Sequence, residues 1–205
     1  ICDDKTPTLP ESLIKAFDDT IHKGSESPAL TAKILNLPSV HYLAQFLSEI
    51  DPQAMKKTYE FFYQEISQKL HESIEEQYNE LQERKLSNNS KDIALRSFKN
   101  ALLKYYYRFD EKAGAPYFYK QFSTATNMTD SITALHRLSA FDSPEFSKAK
   151  TEFYNQWEKD SLVINKWLSI MALSKQEGAF EKIKACNKDP AYDSTNPNKV
   201  IALLF

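Results

Sequence analysis

Only three glycines, Gly24, Gly114 and Gly178, occur in the 205 residues of this chain. A tight β-hairpin needs Gly or an Asn-Gly pair at positive φ, and a phosphate-cradling loop needs Gly where the backbone closes on its ligand. Such scarcity weighs against hairpin-rich sheets and against nucleotide cradles together. Helix entries, by contrast, recur. Ser27-Pro28, Asp51-Pro52 and Ser143-Pro144 each join a capping side chain to a proline. Proline there pre-sets φ and lacks only an N–H that would have no partner at the first helical position. With the apolar spacing, these signals predict helices over about 10–22, 28–36, 39–49, 52–85, 90–110, 114–125, 129–140, 144–158, 160–174, 176–187 and from 197 onward.

The long fourth helix carries Tyr59, Phe62, Tyr63, Ile66, Leu70, Ile74, Tyr78 and Leu81 at steps of three and four, a single apolar stripe. Its second half, Gln68 to Glu83, is so charged that it is expected to be the most exposed part. Leu162-Val163-Ile164 with Trp167, Leu168, Met171 and Leu173 is apolar on nearly all sides, which predicts a central, buried helix. Phe146, Phe153 and Trp157 supply its facing stripe. Short polar connections between such helices favour antiparallel neighbours. The expected fold is all-α, an irregular αα superhelix of stacked antiparallel helix pairs in the HEAT or armadillo manner. Tetratricopeptide and ankyrin signatures are absent.

Residues 1–205 read as a single helical domain, long enough to bury roughly 70% of the unfolded chain's surface. The formal charge is −2 with both signs interspersed, so no basic footprint for nucleic acid exists. No stretch approaches the roughly 18 apolar residues of a membrane span, and Ile1-Cys2-Asp3-Asp4 lacks a signal peptide's basic start and apolar core. Cys2 and Cys186 have no metal-type spacing and are expected to be free thiols in a reducing, cytoplasmic compartment.

Three short runs carry the most information about function: Lys120-Gln121-Phe122 leading into Asn127-Met128-Thr129-Asp130, Leu162-Val163-Ile164-Asn165-Lys166-Trp167, and Asn196-Pro197-Asn198-Lys199. Leu37-Pro38-Ser39-Val40, Ile50-Asp51-Pro52 and the stretch from Asp92 through Arg96 to Asn100 precede them. In this order the motifs resemble the C-terminal helical domain of the bacterial-type aminopeptidase N family, zinc exopeptidases of the gluzincin kind. The resemblance implies a curved superhelix of helix pairs. It also implies that zinc and the catalytic residues belong to another domain of the parent enzyme, a partner in cis, and that peptides are the substrates.

The residues agree that this stretch carries no catalytic or metal-binding set. A zincin needs two His one helical turn apart with a Glu between them. His71-Glu72-Ser73-Ile74-Glu75 puts Glu75 where the second His belongs and reads as a charged helical turn. The family's Gly-Ala-Met-Glu-Asn substrate-binding run is missing. Asn127 or Thr129 is expected to cap a helix, and Trp167 to be core. Asn196, Asn198 and Lys199 are the substrate-channel candidates: in the resembling enzymes this helix start faces the chamber over the active site. Its amides and Lys199 are expected to offer positive potential to a carboxylate. Lys in place of the family's commoner Arg keeps the charge and loses the planar fork. The apolar ending Val200-Ile201-Ala202-Leu203-Leu204-Phe205 suggests a piece truncated from a longer domain. The rival reading is a helical-repeat scaffold that binds a protein in its groove.

Overall fold

A computed structural model of the chain describes residues 7–174 and 178–204. Among these residues twelve α-helices and no strand occur, and the chain divides into two compact units between Asp110 and Glu111.

The first unit holds α1 (Glu11–His22), α2 (Pro28–Ile34), α3 (Val40–Ala44), α4 (Pro52–Lys69), α5 (His71–Glu83) and α6 (Ser90–Leu102). Its hub is α6, which packs on α2 and α5, while α5 packs in turn on α1 and α4. Phe98 and Leu102 of α6 are fully buried. Asp51 and Ser39 cap α4 and α3 as their residue types predict: Asp51 Oδ1 accepts from the amides of Gln53 (2.9 Å) and Ala54 (3.0 Å), and Ser39 Oγ from that of Tyr42 (3.1 Å). Ser27 is the exception, since its side chain makes no cap bond to α2.

Tertiary packing redraws several expected helices. The single helix over 52–85 is two, broken at Leu70, where φ is −112° and ψ 25°. Ser67 Oγ donates to the Tyr105 carbonyl (2.5 Å) and accepts from the Arg108 amide (2.9 Å), so the last turn of α4 is gripped from outside the helix. The expectation that Gln68 to Glu83 is the most exposed part fails. Ile74, Tyr78 and Leu81 of α5 are essentially inaccessible, whereas no residue of α4 before Tyr63 is buried. Charge on the outer faces does not oppose burial of one stripe at helical spacing. The helix expected over 90–110 stops at Leu102 because Tyr105 and Tyr106 are both fully buried. Tyr105 donates to the Leu35 carbonyl beyond α2 (2.6 Å) and Tyr106 to Glu75 on α5 (3.0 Å), and the chain coils irregularly through 103–109 to serve both. Tyr107 follows at φ +50°, a left-handed conformation that costs a bulky residue energy. The helix expected over 39–49 shrinks to α3, none of whose residues is buried.

The second unit holds α7 (Glu111–Thr124), α8 (Met128–Leu138), α9 (Pro144–Trp157), α10 (Ser161–Ala172), α11 (Ala179–Cys186) and α12 (Pro197–Leu204). Helix α7 packs on α8 and α9, and α10 packs on α9, α11 and α12. Val163, Ile164, Trp167, Leu168 and Met171 of α10 are buried as its composition predicts. Leu162 and Leu173, at its two ends, are 72% and 59% exposed, so the helix is not buried all round. Cys186 is a buried free thiol whose pKa is raised chiefly by burial. Cys2, the expected helix start at 176 and Phe205 lie outside the described residues.

Candidate functional site

The run from Asp189 to Lys199 is a chain of side-chain-stapled turns. Asp189 Oδ1 accepts from the Ala191 amide (2.8 Å) and from the Tyr154 hydroxyl on α9 (3.2 Å). Asp193 Oδ1 accepts from the Thr195 amide (2.9 Å) and hydroxyl (2.6 Å). Those two bonds, with a smaller contribution from the Lys199 charge, hold the Asp193 carboxyl below its usual range. Asn196 then opens α12: its Oδ1 accepts from the Asn198 amide (3.0 Å) and its carbonyl from the amides of Lys199 (3.0 Å) and Val200 (3.1 Å).

This geometry alters how the candidate residues can act. The amides expected to offer positive potential are already bonded to Asn196, and Pro197 has none. What remains for a ligand is the exposed Asn198 side chain and the half-buried Lys199. Lys199 Nζ donates to the Ala191 carbonyl (2.6 Å), strapping the loop shut. An ammonium carries three donors, so one such bond leaves its charge and two donors available. Lys199 also lines a groove of about 290 Å³ with Tyr154, Glu158, Ser161, Ile164 and Ala191.

The other motifs serve structure. Asn127 is the cap of α8, its Oδ1 accepting from the Asp130 amide (2.9 Å), and buried Gln121 donates to the Asp130 carbonyl (3.1 Å). Trp167 Nε1 finds the Lys150 carbonyl (3.2 Å). Arg96 Nη2 donates to the Ser87 carbonyl (2.9 Å), and the Tyr59 hydroxyl to that of Pro38 (2.9 Å). In the zincin-like run, His71 Nε2 lies 3.7 Å from Glu75 Oε2 and the ring sits among Tyr106, Tyr107 and Phe109. No group of three or more His, Cys, Asp or Glu converges among the described residues. A cavity of about 420 Å³ floored by Phe146, Trp167, Met171 and Cys186 was not foreseen. Its only trace in the sequence is the pair of apolar stripes on α9 and α10, which predict contact and not a gap. Among the described residues no helix is long and apolar enough to cross a membrane.

Aminopeptidase N of Escherichia coli K12 is 28% identical over 197 residues, covering 96% of this chain and 23% of that protein. Aminopeptidase N of Haemophilus influenzae is 26% identical over 192 residues, 94% of this chain and 22% of that protein. The chain thus spans under a quarter of the length of these relatives. Among solved structures, Legionella pneumophila aminopeptidase A in complex with aspartic acid superposes with a TM-score of 0.85 at 23% identity, over 99% of this chain and 25% of that one. This likeness bears on the fold, and it agrees with an all-α helical repeat. Residues 2–205 match the family described as "Domain of unknown function (DUF3458_C) ARM repeats", and the chain belongs to that family.

Proposed function

We propose that the chain is the C-terminal helical domain, one domain across both units, of a cytoplasmic zinc aminopeptidase that removes N-terminal residues from peptides. The observation that carries this reading is the alignment of 96% of the chain with an aminopeptidase N. In the parent, the catalytic domain in cis holds zinc, which polarises water for attack on the scissile carbonyl. The helical domain walls the chamber, admits short or unfolded peptides and shelters the reaction from bulk water. It is not catalytic alone.

Asn196, Asn198 and Lys199 line that chamber on the side of the peptide's later residues. With its Nζ bonded to the Ala191 carbonyl, the Lys199 charge has a defined position at the start of α12, which suits attraction of a carboxylate or of backbone carbonyls. The test is Lys199→Ala in the full-length enzyme. An interaction of about 0.3–1 kcal/mol predicts a few-fold fall in kcat/KM for peptides. Single-residue chromogenic substrates end before reaching it and should hardly change. Equal losses for both classes would assign Lys199 to the fold, and no loss for either would leave only the strap.

A further inference from the structure

The segment from Leu30 to Ile50 exposes an apolar surface that the first unit does not cover. Phe46 is 70% exposed, and Tyr42, Leu43, Leu47 and Ile50 are exposed beside it in sequence. None of the five residues of α3 is buried, and a helix so short has little stability of its own. The structure nevertheless fixes its entry at Ser39, ties the preceding Pro38 carbonyl to Tyr59 and sets the Tyr42 and Phe46 rings edge to face at 5.2 Å. Residues 28–35 are packed on α6, whereas the stretch from Tyr42 to Ile50 is shaped and apolar and buries none of its residues within its unit.

Its composition indicates what kind of surface covers it. Between Leu30 and Ile50 only Lys33, His41 and Glu49 can carry charge. Depletion of charge over a cluster of aromatic and aliphatic side chains marks permanent interfaces, whereas transient ones keep the mixed polarity of ordinary surface. A permanent neighbour is at hand in proteins of this kind, because the matching region is only 23% of the length of the Escherichia coli relative. We infer that the surface formed by the paired rings of Tyr42 and Phe46 is an interdomain docking surface, covered by an uncharged apolar face of another domain of the same polypeptide. The inference rests on the reading that the chain is one domain of a longer enzyme. It adds the part of the helical domain that would anchor it.

The test uses the full-length protein with a thiol introduced by Phe46→Cys and, as an exposed reference on α4, by Lys57→Cys. Under native conditions a maleimide should label the Phe46→Cys thiol at least about tenfold more slowly than the Lys57→Cys thiol, because the covered site reacts only through local opening. Hydrogen exchange at the amides of 42–47 in the unsubstituted full-length protein gives the same comparison should Phe46→Cys fold poorly: slow exchange supports the docking surface, and exchange as fast as in exposed loops overturns it. Equal labelling rates also overturn it. So does protection that disappears on dilution to monomer, which would identify a second copy as the occupant. Neither readout depends on turnover. Slow labelling in a protein without aminopeptidase activity would keep the docking surface and discard the proposed enzyme.

Discussion

At the scale of single residues, small groups decide whether neighbouring elements can close. Gly24 has an ordinary negative φ, yet a Cβ there would lie 2.1 Å from the ring of Phe98, which is fully buried in α6. Gly24→Ala must push that ring out of place, so it should lower stability by about 1–3 kcal/mol, read as a shift of the urea midpoint. Asn127→Ala removes the α8 cap and should lower stability by about 1 kcal/mol in the same assay. Asp92 is a test of pH. Its exposed carboxylate accepts from the Ser87 hydroxyl (2.7 Å) and amide (2.9 Å), which hold it below its ordinary value of 3.8. A carboxyl depressed in the folded state adds stability above its unfolded pKa and loses it as pH falls through the folded one. Thermal midpoints of the wild type and Asp92→Asn should therefore differ by a constant amount at neutral pH, and the wild-type advantage should shrink below about pH 4. A gap that stayed constant down to pH 2 would refute the depressed carboxyl.

At the scale of elements, the apolar spacing located most helices, and packing decided where they end. The stripe from Tyr59 to Leu81 is visible in the sequence, but the break at Leu70 is not, and Ser67, one turn before it, bonds to Tyr105 and Arg108, some forty residues away. Local pattern holds no record of those partners. Helix α5 is the sharper case, since its many charges suggested exposure while Tyr78 is fully buried and stacked on Tyr106 at 4.6 Å. Tyr78→Ala should lower stability by about 3–5 kcal/mol, the loss typical of a large core aromatic. Glu80→Ala, on the exposed face of the same helix, should stay within about 0.5 kcal/mol. Similar effects for the two substitutions would restore the exposed reading of α5. Caps were the most legible feature of all: Asp51, Asn127 and Ser143 act over two or three residues, the range a sequence motif can encode.

At the scale of the whole molecule, the proposed division of labour has a direct consequence for the metal. If zinc belongs to another domain, dialysis of the full-length enzyme against a chelator should abolish turnover of aminoacyl substrates. The stability of this helical domain, followed by hydrogen exchange at buried α5 and α10 amides, should not change. Faster exchange in these helices after zinc removal would mean that the metal supports this domain as well. Zinc retained through His71 and lost on His71→Ala would overturn the reading of the incomplete motif, whose imidazole ring lies beside three aromatic side chains.

The sequence by itself determined the fold class, the approximate placement of the helices, the caps at Asp51, Asn127 and Ser143 and the family, because each is written in local spacing and in the order of short motifs. It also singled out Asn196, Asn198 and Lys199 as the place to look. Only the tertiary structure decided that the α12 amides are already bonded to Asn196, that Lys199 reaches the Ala191 carbonyl and that α5 is core. It likewise left the α3 face bare. The physical reason is common to all four. Whether a donor is free, a charge held or an apolar face covered depends on groups brought together by packing, and helical periodicity specifies which face is apolar without specifying what will lie against it.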